Sequence, residues 1–301
     1  MASKHSKSFF DFKKSVHVTA PQNNLAQTRI SLPFKIIIFV FIVSLVLSAV
    51  FVGRYFIEGV SHQNLLSDTK EVFYSASSDK AIKTLAQDNP DIKGWLKIDN
   101  TQIDCVVCQG EDNEFYTNHN QLGKKSRYGA LFLSANDTFA RKGNDRNIVI
   151  FGNNMNDGAM FGALKQYRNL EFYKQNPCIQ LYYGDKCENY MVFAIMLVDS
   201  TTQDYDFAKG NFTDKDDFKS WYKETCKRSI INTTVPTAYG EELLTLVTSA
   251  DDFDGAQLVI IATKLDEWDA SHTDVTNATV NPKPKHDQAW YDEKGLENPY
   301  K

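Results

Sequence analysis

The longest apolar run of the chain lies near its N-terminus. Residues Ile36–Gly53 contain no charged side chain, and their only polar side chains are Ser44 and Ser48. As a helix, this run measures about 27 Å, close to the thickness of the hydrocarbon core of a bilayer. It has no polar face, which argues against a buried core helix and against an interfacial amphipathic helix. We therefore predict a transmembrane helix over residues 36–53.

A cleaved signal peptide is the alternative interpretation of this run. Signal peptides have a short basic leader and a shorter apolar segment. Here 35 residues precede a run of 18. The pattern therefore favours a retained anchor.

Beyond the apolar run, the pattern of apolar and polar positions changes twice. Scattered apolar positions over residues 54–87 are typical of a helical neck. From residue 88 to residue 268, short β-rich runs alternate with turn residues, and Gly184-Asp185 is a hairpin signal. The predicted strands are GWLKI (94–98), IDCVV (103–107), ALFL (130–133), NIVIF (147–151), CIQLYY (178–183), NYMVFAIMLV (189–198), LLTLV (243–247) and QLVIIAT (257–263).

Short helical segments interrupt the strands. We predict one at residues 160–167 and another at residues 214–227, with Thr213 as its N-cap. Eight strands in about 180 residues with helices in the connections predict a mainly β fold, a closed or nearly closed barrel. Residues 269–301 are polar and contain three prolines, so we predict a disordered tail.

Charge is distributed unevenly about the apolar run. Residues 1–35 contain six Lys or Arg side chains and one acid, Asp11, a net charge of +5; since the whole chain carries −5, the remainder carries −10. The positive-inside rule then predicts a cytoplasmic leader, itself disordered, and an extracellular C-terminal domain. An acidic exported part argues against nucleic acid as a partner.

The cysteines do not indicate a metal or redox site. The chain has five, so at least one thiol is unpaired within a monomer. Cys105 and Cys108 form a CxxC inside a predicted strand, where side chains three residues apart point to opposite faces. No second CxxC or His pair completes a zinc site. We interpret all five as structural and predict no metal and no cofactor.

Two stretches follow buried-looking strands and lead into polar loops, where a rigid scaffold usually presents function. They are NIVIFGNNMNDGAMFGALKQY (147–167) and LLTLVTSADDFDGAQLVIIATKL (243–265). With NPDIKGWLKI (89–98), IDCVVCQGEDNEFYTNH (103–119) and GKKSRYGALFL (123–133), they resemble the class B sortases, membrane-anchored cysteine transpeptidases of Gram-positive bacteria. The resemblance implies an eight-stranded sortase-type β-barrel outside the membrane, behind a short cytoplasmic leader and one anchor.

The same resemblance shows other residues at the three catalytic positions of the family. Asn153, in FGNNM (151–155), stands where a YGHNM-like motif has its catalytic His. Ser249, in TLVTS (245–249), stands where the family has its nucleophilic Cys. Gln257 stands where the family has an Arg that steadies the substrate and the developing oxyanion.

These substitutions oppose sortase chemistry. A Cys supplies some thiolate at neutral pH, whereas a Ser hydroxyl needs an adjacent base. Asn153 cannot act as that base, and no His occurs between Asn120 and Ser271. We interpret His119 as structural, since the resemblance places it away from the catalytic positions. A neutral Gln also loses the charge that strengthens the hydrogen bonds of an Arg.

We therefore favour a catalytically degenerate sortase homologue that binds or scaffolds peptides at the cell surface. Its expected partners are sorting-signal peptides of surface proteins or an active sortase, and Asn154, Met155 and Thr248 are the predicted substrate-binding residues. One alternative is an active transpeptidase that joins surface proteins to the cell wall with Ser249 as nucleophile. Another is a barrel without a binding function. A further hypothesis is that Asn281-Pro282-Lys283, which is similar to the start of an NP-type sorting signal, occupies the groove.

Overall fold

The computed structural model describes residues 31–139, 146–202, 204–265 and 275–301. Within these ranges the helices are α1 (Leu32–Tyr74), α2 (Ser78–Leu85), α3 (Leu170–Gln175), α4 (Lys215–Arg228) and α5 (Gln288–Lys294), with 3-10 helices at Phe115–Thr117 and Phe161–Arg168. The strands are β1 (Ile92–Lys97), β2 (Asp104–Cys108), β3 (Leu131–Leu133), β4 (Asn147–Phe151), β5 (Cys178–Tyr183), β6 (Lys186–Asp199), β7 (Ile231–Asn232), β8 (Leu243–Ser249), β9 (Ala256–Lys264) and β10 (Thr279–Val280).

Helix α1 contains the predicted anchor. Its most apolar 18-residue window has a mean hydropathy of 3.0 and no buried residue, so by length and composition it is a candidate membrane span. The predicted leader lies outside the described residues up to Ile30. Chain contacts divide the protein into two units, Met1–Tyr55 and Phe56–Lys301, and the second contains the remainder of α1. The predicted neck is therefore the continuation of α1 followed by α2.

Eight strands close into a barrel in the order β1-β2-β3-β4-β8-β9-β6-β5. Each of the eight predicted runs forms one of these strands, so the predicted fold class is confirmed. The hairpin between β5 and β6 turns at Gly184, which has φ +54°. Strands β4 and β8 are parallel and pair Phe151 with Val247. Because parallel strands end on the same side, these two deliver their C-terminal loops to one rim of the barrel.

The two faces of β2 contribute to different clusters of buried side chains. Cys105 belongs to the large cluster built by the barrel strands, whereas Cys108 belongs to a smaller cluster with α2. In that smaller cluster Phe73 of α1 stacks on Trp95 at 4.1 Å between ring centroids. All five cysteines are free thiols, and burial raises the pKa of Cys105 to about 12. The two CxxC cysteines therefore pack apart, as their spacing in a strand predicts.

The prediction of a disordered tail is wrong for residues 275–301. Strand β10 pairs with β7, and α5 ends at Gly295 in a left-handed conformation. Asp287 is buried and forms an ion pair of 2.5 Å with Arg228, which is also buried. Val275 and Ala278 join the barrel core, and Ala289 and Trp290 pack against it. The contact also depends on ionic and main-chain hydrogen bonds, which apolar periodicity does not register. Residues 266–274 lie outside the described ranges.

The predicted helical segments exist, with small shifts. The segment predicted at residues 160–167 is a 3-10 helix at Phe161–Arg168. Helix α4 is capped by Asp214, whose carboxylate accepts hydrogen bonds from the amides of Asp216 and Asp217, rather than by Thr213. A carboxylate at this position also interacts favourably with the helix dipole.

Candidate functional site

A pocket of about 270 Å³ opens at the rim where β4 and β8 end and β9 begins. Ser249, the last residue of β8, pairs directly with Gln257 near the start of β9. Asn153 follows β4 by two residues. The pocket is lined by Asn113, Thr117, Phe132, Phe151, Gly152, Asn153, Val247, Thr248, Ser249 and Gln257. Asn153, Ser249 and Gln257, which the sequence resemblance matches to catalytic positions, therefore line one pocket, although they are far apart in the sequence.

Gly152 allows the chain to leave β4 in close contact with its neighbours. A Cβ atom at this position would lie 2.4 Å from Leu131 Cδ2 and 2.8 Å from the ring of Phe161. The Gly152 carbonyl accepts a hydrogen bond of 2.7 Å from the Thr248 hydroxyl. This bond ties the loop after β4 to the end of β8 and so holds the two sides of the pocket together.

Asn153 is held by main-chain carbonyls. Its side-chain Nδ2 donates to the carbonyl of Thr117 at 2.7 Å and to that of Arg127 at 3.3 Å. Gly129 makes room for this amide: it has φ +63°, and a Cβ atom there would lie 2.9 Å from Asn153 Nδ2. Through these two hydrogen bonds, the Asn153 side chain connects the loop after β4 to the segment around the first 3-10 helix. The Asn153 side chain has no group that titrates near neutral pH, so it cannot serve as a general acid or base.

Ser249 and Gln257 are placed by the β8–β9 connection. The Ala250 amide donates to the Ala256 carbonyl at 2.8 Å, and this bond extends the pairing beyond the strands. Arg168 clamps the connecting loop through a two-pronged ion pair with Asp252, at 3.1 and 2.6 Å. Ser249 is exposed and Gln257 is half-buried. Within the described ranges, no side chain forms a hydrogen bond with the Ser249 hydroxyl.

The predicted substrate-binding residues do not all reach this pocket. Thr248 lines it, but its hydroxyl is used by the Gly152 carbonyl. Asn154 forms a β-bridge with Met160, and Met155 packs against the barrel core. Neither of these two residues is among those that line the pocket. The loop after β4 turns back on itself at this point.

Six of the lining residues were not among the predicted site residues: Asn113, Thr117, Phe132, Phe151, Gly152 and Val247. Asn113 and Thr117 come from the segment between β2 and β3, whereas Phe132 and Phe151 lie on the paired strands β3 and β4. The two phenyl rings stack at 5.4 Å between centroids. Asn113 and Thr117 belong to residues 103–119, one of the stretches that resemble the class B sortases. Nothing in that sequence predicts that the stretch folds over the ends of β4 and β8.

The pocket is electrically neutral. Among the described residues that line it, none has an ionisable side chain. His119 is two residues from Thr117 in sequence but is not among the residues that line the pocket. Its ring stacks on Phe115 at 4.0 Å, and its Nδ1 is 2.8 Å from the Phe115 carbonyl. None of the five cysteines lines the pocket, and the described residues contain no cluster of ligands able to hold a metal ion.

Asn281-Pro282-Lys283 lies elsewhere on the barrel. The Asn281 amide group donates to the carbonyl of Ser229 at 2.7 Å, and its backbone amide donates to that of Ile230 at 2.9 Å. These contacts hold the segment beside α4 and β7. The hypothesis that it occupies the groove is therefore wrong for this structure.

Comparison with known proteins decides the family. The chain is 31% identical in sequence to Clostridium perfringens sortase B, and the two structures superpose with a TM-score of 0.57. The match covers 61% of this chain and 99% of that one. The chain belongs to the class B sortase family. No protein-family model matches it.

Other class B sortases support the same assignment. Sortase B of Listeria monocytogenes is 28% identical over 219 residues, covering 69% of this chain and 87% of the relative. A Staphylococcus aureus sortase B–substrate complex is 21% identical, with a TM-score of 0.64, and the match covers 70% of this chain and 99% of that one. At that identity the likeness concerns the fold.

Proposed function

We propose that this chain is a membrane-anchored, catalytically silent class B sortase that binds sorting-signal-type peptides in the pocket formed by β4, β8 and β9. The observation that carries the proposal is a pocket formed at the expected rim of the barrel with no ionisable side chain among its described lining residues.

The chemistry of the lining supports catalytic silence. Ser249 has an unactivated hydroxyl, and serine is a weak nucleophile without an adjacent base. Asn153 already donates both amide hydrogens to main-chain carbonyls. Its side chain has no group that titrates near neutral pH, so it cannot transfer a proton in catalysis. Gln257 has N–H groups but no charge to stabilise an oxyanion, and hydrogen bonds from charged donors are about twice as strong.

The shape and polarity of the lining support peptide binding. The volume of about 270 Å³ is close to the lower end of the range of ligand pockets, about 300–1,000 Å³. Phe132 and Phe151 provide an apolar wall, and Asn113 and Gln257 provide neutral amides. Such a surface matches uncharged polar side chains of an extended peptide. The existence of a sortase B–substrate complex in the family supports a peptide as the ligand.

The proposal includes a location. A basic leader before the apolar part of α1 favours a cytoplasmic N-terminus, and this places the barrel on the extracellular side. There the pocket meets exported proteins, or an active sortase whose substrates it holds.

The test is binding and turnover by the full-length protein in lipid nanodiscs. Peptides that begin with an Asn-Pro pair are titrated by calorimetry, with scrambled peptides as controls, and the mixtures are followed by mass spectrometry. We expect saturable binding, no cleavage and no covalent adduct. Gln257→Ala is expected to weaken binding about fivefold, because it removes the half-buried amide that would form a hydrogen bond with the peptide. Gln63→Ala, on the exposed side of α1, is the matched control. Absence of binding by any Asn-Pro peptide would refute the proposal.

One observation favours a second function, a slow serine transpeptidase. The Ser249 hydroxyl is exposed at the pocket and is not hydrogen-bonded to any described side chain. A peptide adduct on Ser249, lost in Ser249→Ala, would establish that activity in place of silent binding.

A further inference from the structure

A second pocket, of about 570 Å³, lies between α4 and the C-terminal segment. Its lining contains four lysines and no acid, although the chain beyond residue 35 carries a net charge of −10. The lining residues are Lys219, Tyr222, Lys223, Cys226, Lys227, Asn232, Asn281, Lys283 and Tyr300. We call this the lysine pocket. It shares no residue with the pocket that contains Ser249.

Helix α4 arranges three of these lysines in a row. Lys219, Lys223 and Lys227 are spaced four residues apart, and Lys215 begins the same series one turn earlier. Side chains at this spacing lie on one helix face, and each step advances about 6 Å along the axis. Like charges at this spacing destabilise a helix. The arrangement therefore has a cost in the free protein, and an anionic ligand would remove it.

The opposite face of α4 fixes the orientation of the row. Phe218, Trp221 and Thr225 are buried against the barrel, whereas the three lysines of the lining are exposed. The Trp221 indole donates to the Asp206 carbonyl at 2.9 Å. The row therefore faces away from the core on a rigid element.

Two acids on α4 are committed to other cations. Glu224 accepts from Arg228 at 3.0 Å and from Lys285 at 2.6 Å, and these two neutralise it. Asp217 pairs with Lys209 at 2.6 Å. Within the described residues, none of the four lysines of the lining has a salt-bridge partner. Their positive charge remains available to a ligand.

The C-terminal segment closes the pocket. The Asn281 amide group donates to the Ser229 carbonyl, and the Tyr300 hydroxyl donates to the Lys283 carbonyl at 2.9 Å. These bonds place Lys283 opposite the row on α4. At the base, Tyr222 and Cys226 are half-buried. The site is thus an open cleft between α4 and the C-terminal segment.

We propose that the lysine pocket binds a linear polyanion with repeated phosphate groups, such as a phosphodiester chain. Lysine is a common phosphate ligand that binds as a point charge, and no arginine lines the pocket to impose the paired geometry that its planar fork gives to carboxylate or phosphate. A row of charges about 6 Å apart matches a chain better than a single ion. Tyr222, Asn232 and Asn281 also line the cleft and can donate hydrogen bonds to the phosphate oxygens of a bound chain.

The experiment uses the full-length protein in nanodiscs of phosphatidylcholine, and linear polyphosphate of about ten phosphates as the probe. We expect saturable binding whose affinity falls with salt, with a slope of about −3 for four neutralised charges. Changing the four lysines to Gln should weaken binding at least about tenfold. The matched control changes four exposed lysines elsewhere on the second unit to Gln and should have less than about a twofold effect: Lys80, Lys124, Lys125 and Lys165.

The other arms separate the sources of negative charge. Changing the four pocket lysines to Arg should retain binding, since the charge remains. Polyglutamate of equal length and inorganic phosphate should bind at least about tenfold more weakly than polyphosphate. Three results would each overturn the proposal. Polyglutamate could bind as tightly as polyphosphate, or the Gln variant could bind polyphosphate as tightly as the wild type. The protein could also bind phosphatidylglycerol vesicles but not polyphosphate. If the fourfold variant does not fold, Lys223→Gln alone should make the salt slope less steep by about 0.7, whereas Lys80→Gln should leave the slope unchanged.

Discussion

At the residue scale, the candidate site is defined by three neutral side chains in one pocket. Asn153 donates both amide hydrogens to main-chain carbonyls. Ser249 has an exposed hydroxyl, and the neutral Gln257 pairs with Ser249 across strands β8 and β9. The sequence predicted these positions through their resemblance to catalytic motifs, and the structure brings them together. Their roles stay a prediction, which substitution of the three residues tests.

We expect the triple variant Asn153→His/Ser249→Cys/Gln257→Arg to cleave Asn-Pro peptides at least about 100-fold faster than the wild type, because it supplies a thiol, an acid and a charge together. Ser249→Cys alone should show no turnover, since groups that act as a unit contribute little singly. Product formation is followed by mass spectrometry. Wild-type turnover equal to that of the triple variant would contradict catalytic silence.

Gly152 offers a stability test beside the site. Gly152→Ala should lower the free energy of unfolding by about 1–3 kcal/mol, because its Cβ would overlap Leu131 and Phe161. Denaturant titration measures the difference. Gly123→Ala, where a Cβ meets nothing within 4 Å but φ is +69°, is the control for backbone strain and should cost about 1 kcal/mol. A cost below about 0.5 kcal/mol for Gly152→Ala would show that overpacking at Gly152 is negligible.

At the scale of elements, the C-terminal segment departs most from the sequence prediction. Helix α5 and β10 dock through a buried ion pair, and Asp287 also accepts from the Asp199 amide at 2.8 Å. Predicting disorder was reasonable from low hydrophobicity. The partners Arg228 and Asp199 lie far away in sequence, and their match to Asp287 is visible only once the barrel has formed.

Breaking this buried pair should be costly. Asp287→Ala removes the buried partner of Arg228 and leaves it only Glu224, which is half-buried, and we expect a loss of about 2–4 kcal/mol in unfolding free energy. Lys83→Ala removes an exposed pair with Asp79 and should change stability by less than about 0.5 kcal/mol. Thermal and denaturant unfolding compare the two. Similar small effects would show that the C-terminal segment contributes little to the fold.

His286 should make the same segment sensitive to acid. Burial lowers the pKa of its imidazole below the usual value, and its ring stacks on Trp290 at 4.1 Å. In the unfolded chain His titrates near pH 6.5. The unfolded state therefore binds more protons below that pH, so stability is fully present above about pH 6.5 and falls as the pH drops below it. His286→Gln should reduce this slope in unfolding measured from pH 7 to pH 5; an unchanged slope would contradict it.

At the scale of the whole molecule, the anchor and the barrel define where the two pockets act. The sequence predicts an extracellular barrel from the charges that flank the apolar run, and the structure supplies a candidate span and a closed barrel in separate units. Orientation stays a prediction, because nothing in the fold of either unit selects a side of the membrane.

Cys187 allows the orientation to be measured. It is exposed, whereas Cys105 and Cys108 are buried. A membrane-impermeant maleimide should therefore label intact cells that express the wild type, and Cys187→Ser should lose most of that labelling. Adding Ser6→Cys to Cys187→Ser should not restore it until the cells are lysed. Restoration in intact cells would place the leader outside.

The sequence alone predicted the candidate membrane span, the eight barrel strands and the positions that match the family motifs, because local patterns of apolar residues and short motifs carry that information. Only the tertiary structure decided that Asn154 and Met155 turn away from the pocket, that residues 275–301 are ordered and that Lys283 faces the row on α4. These features depend on hydrogen bonds and ion pairs between residues distant in sequence. Such pairings leave no periodic trace in the chain, since each is formed once, between particular partners.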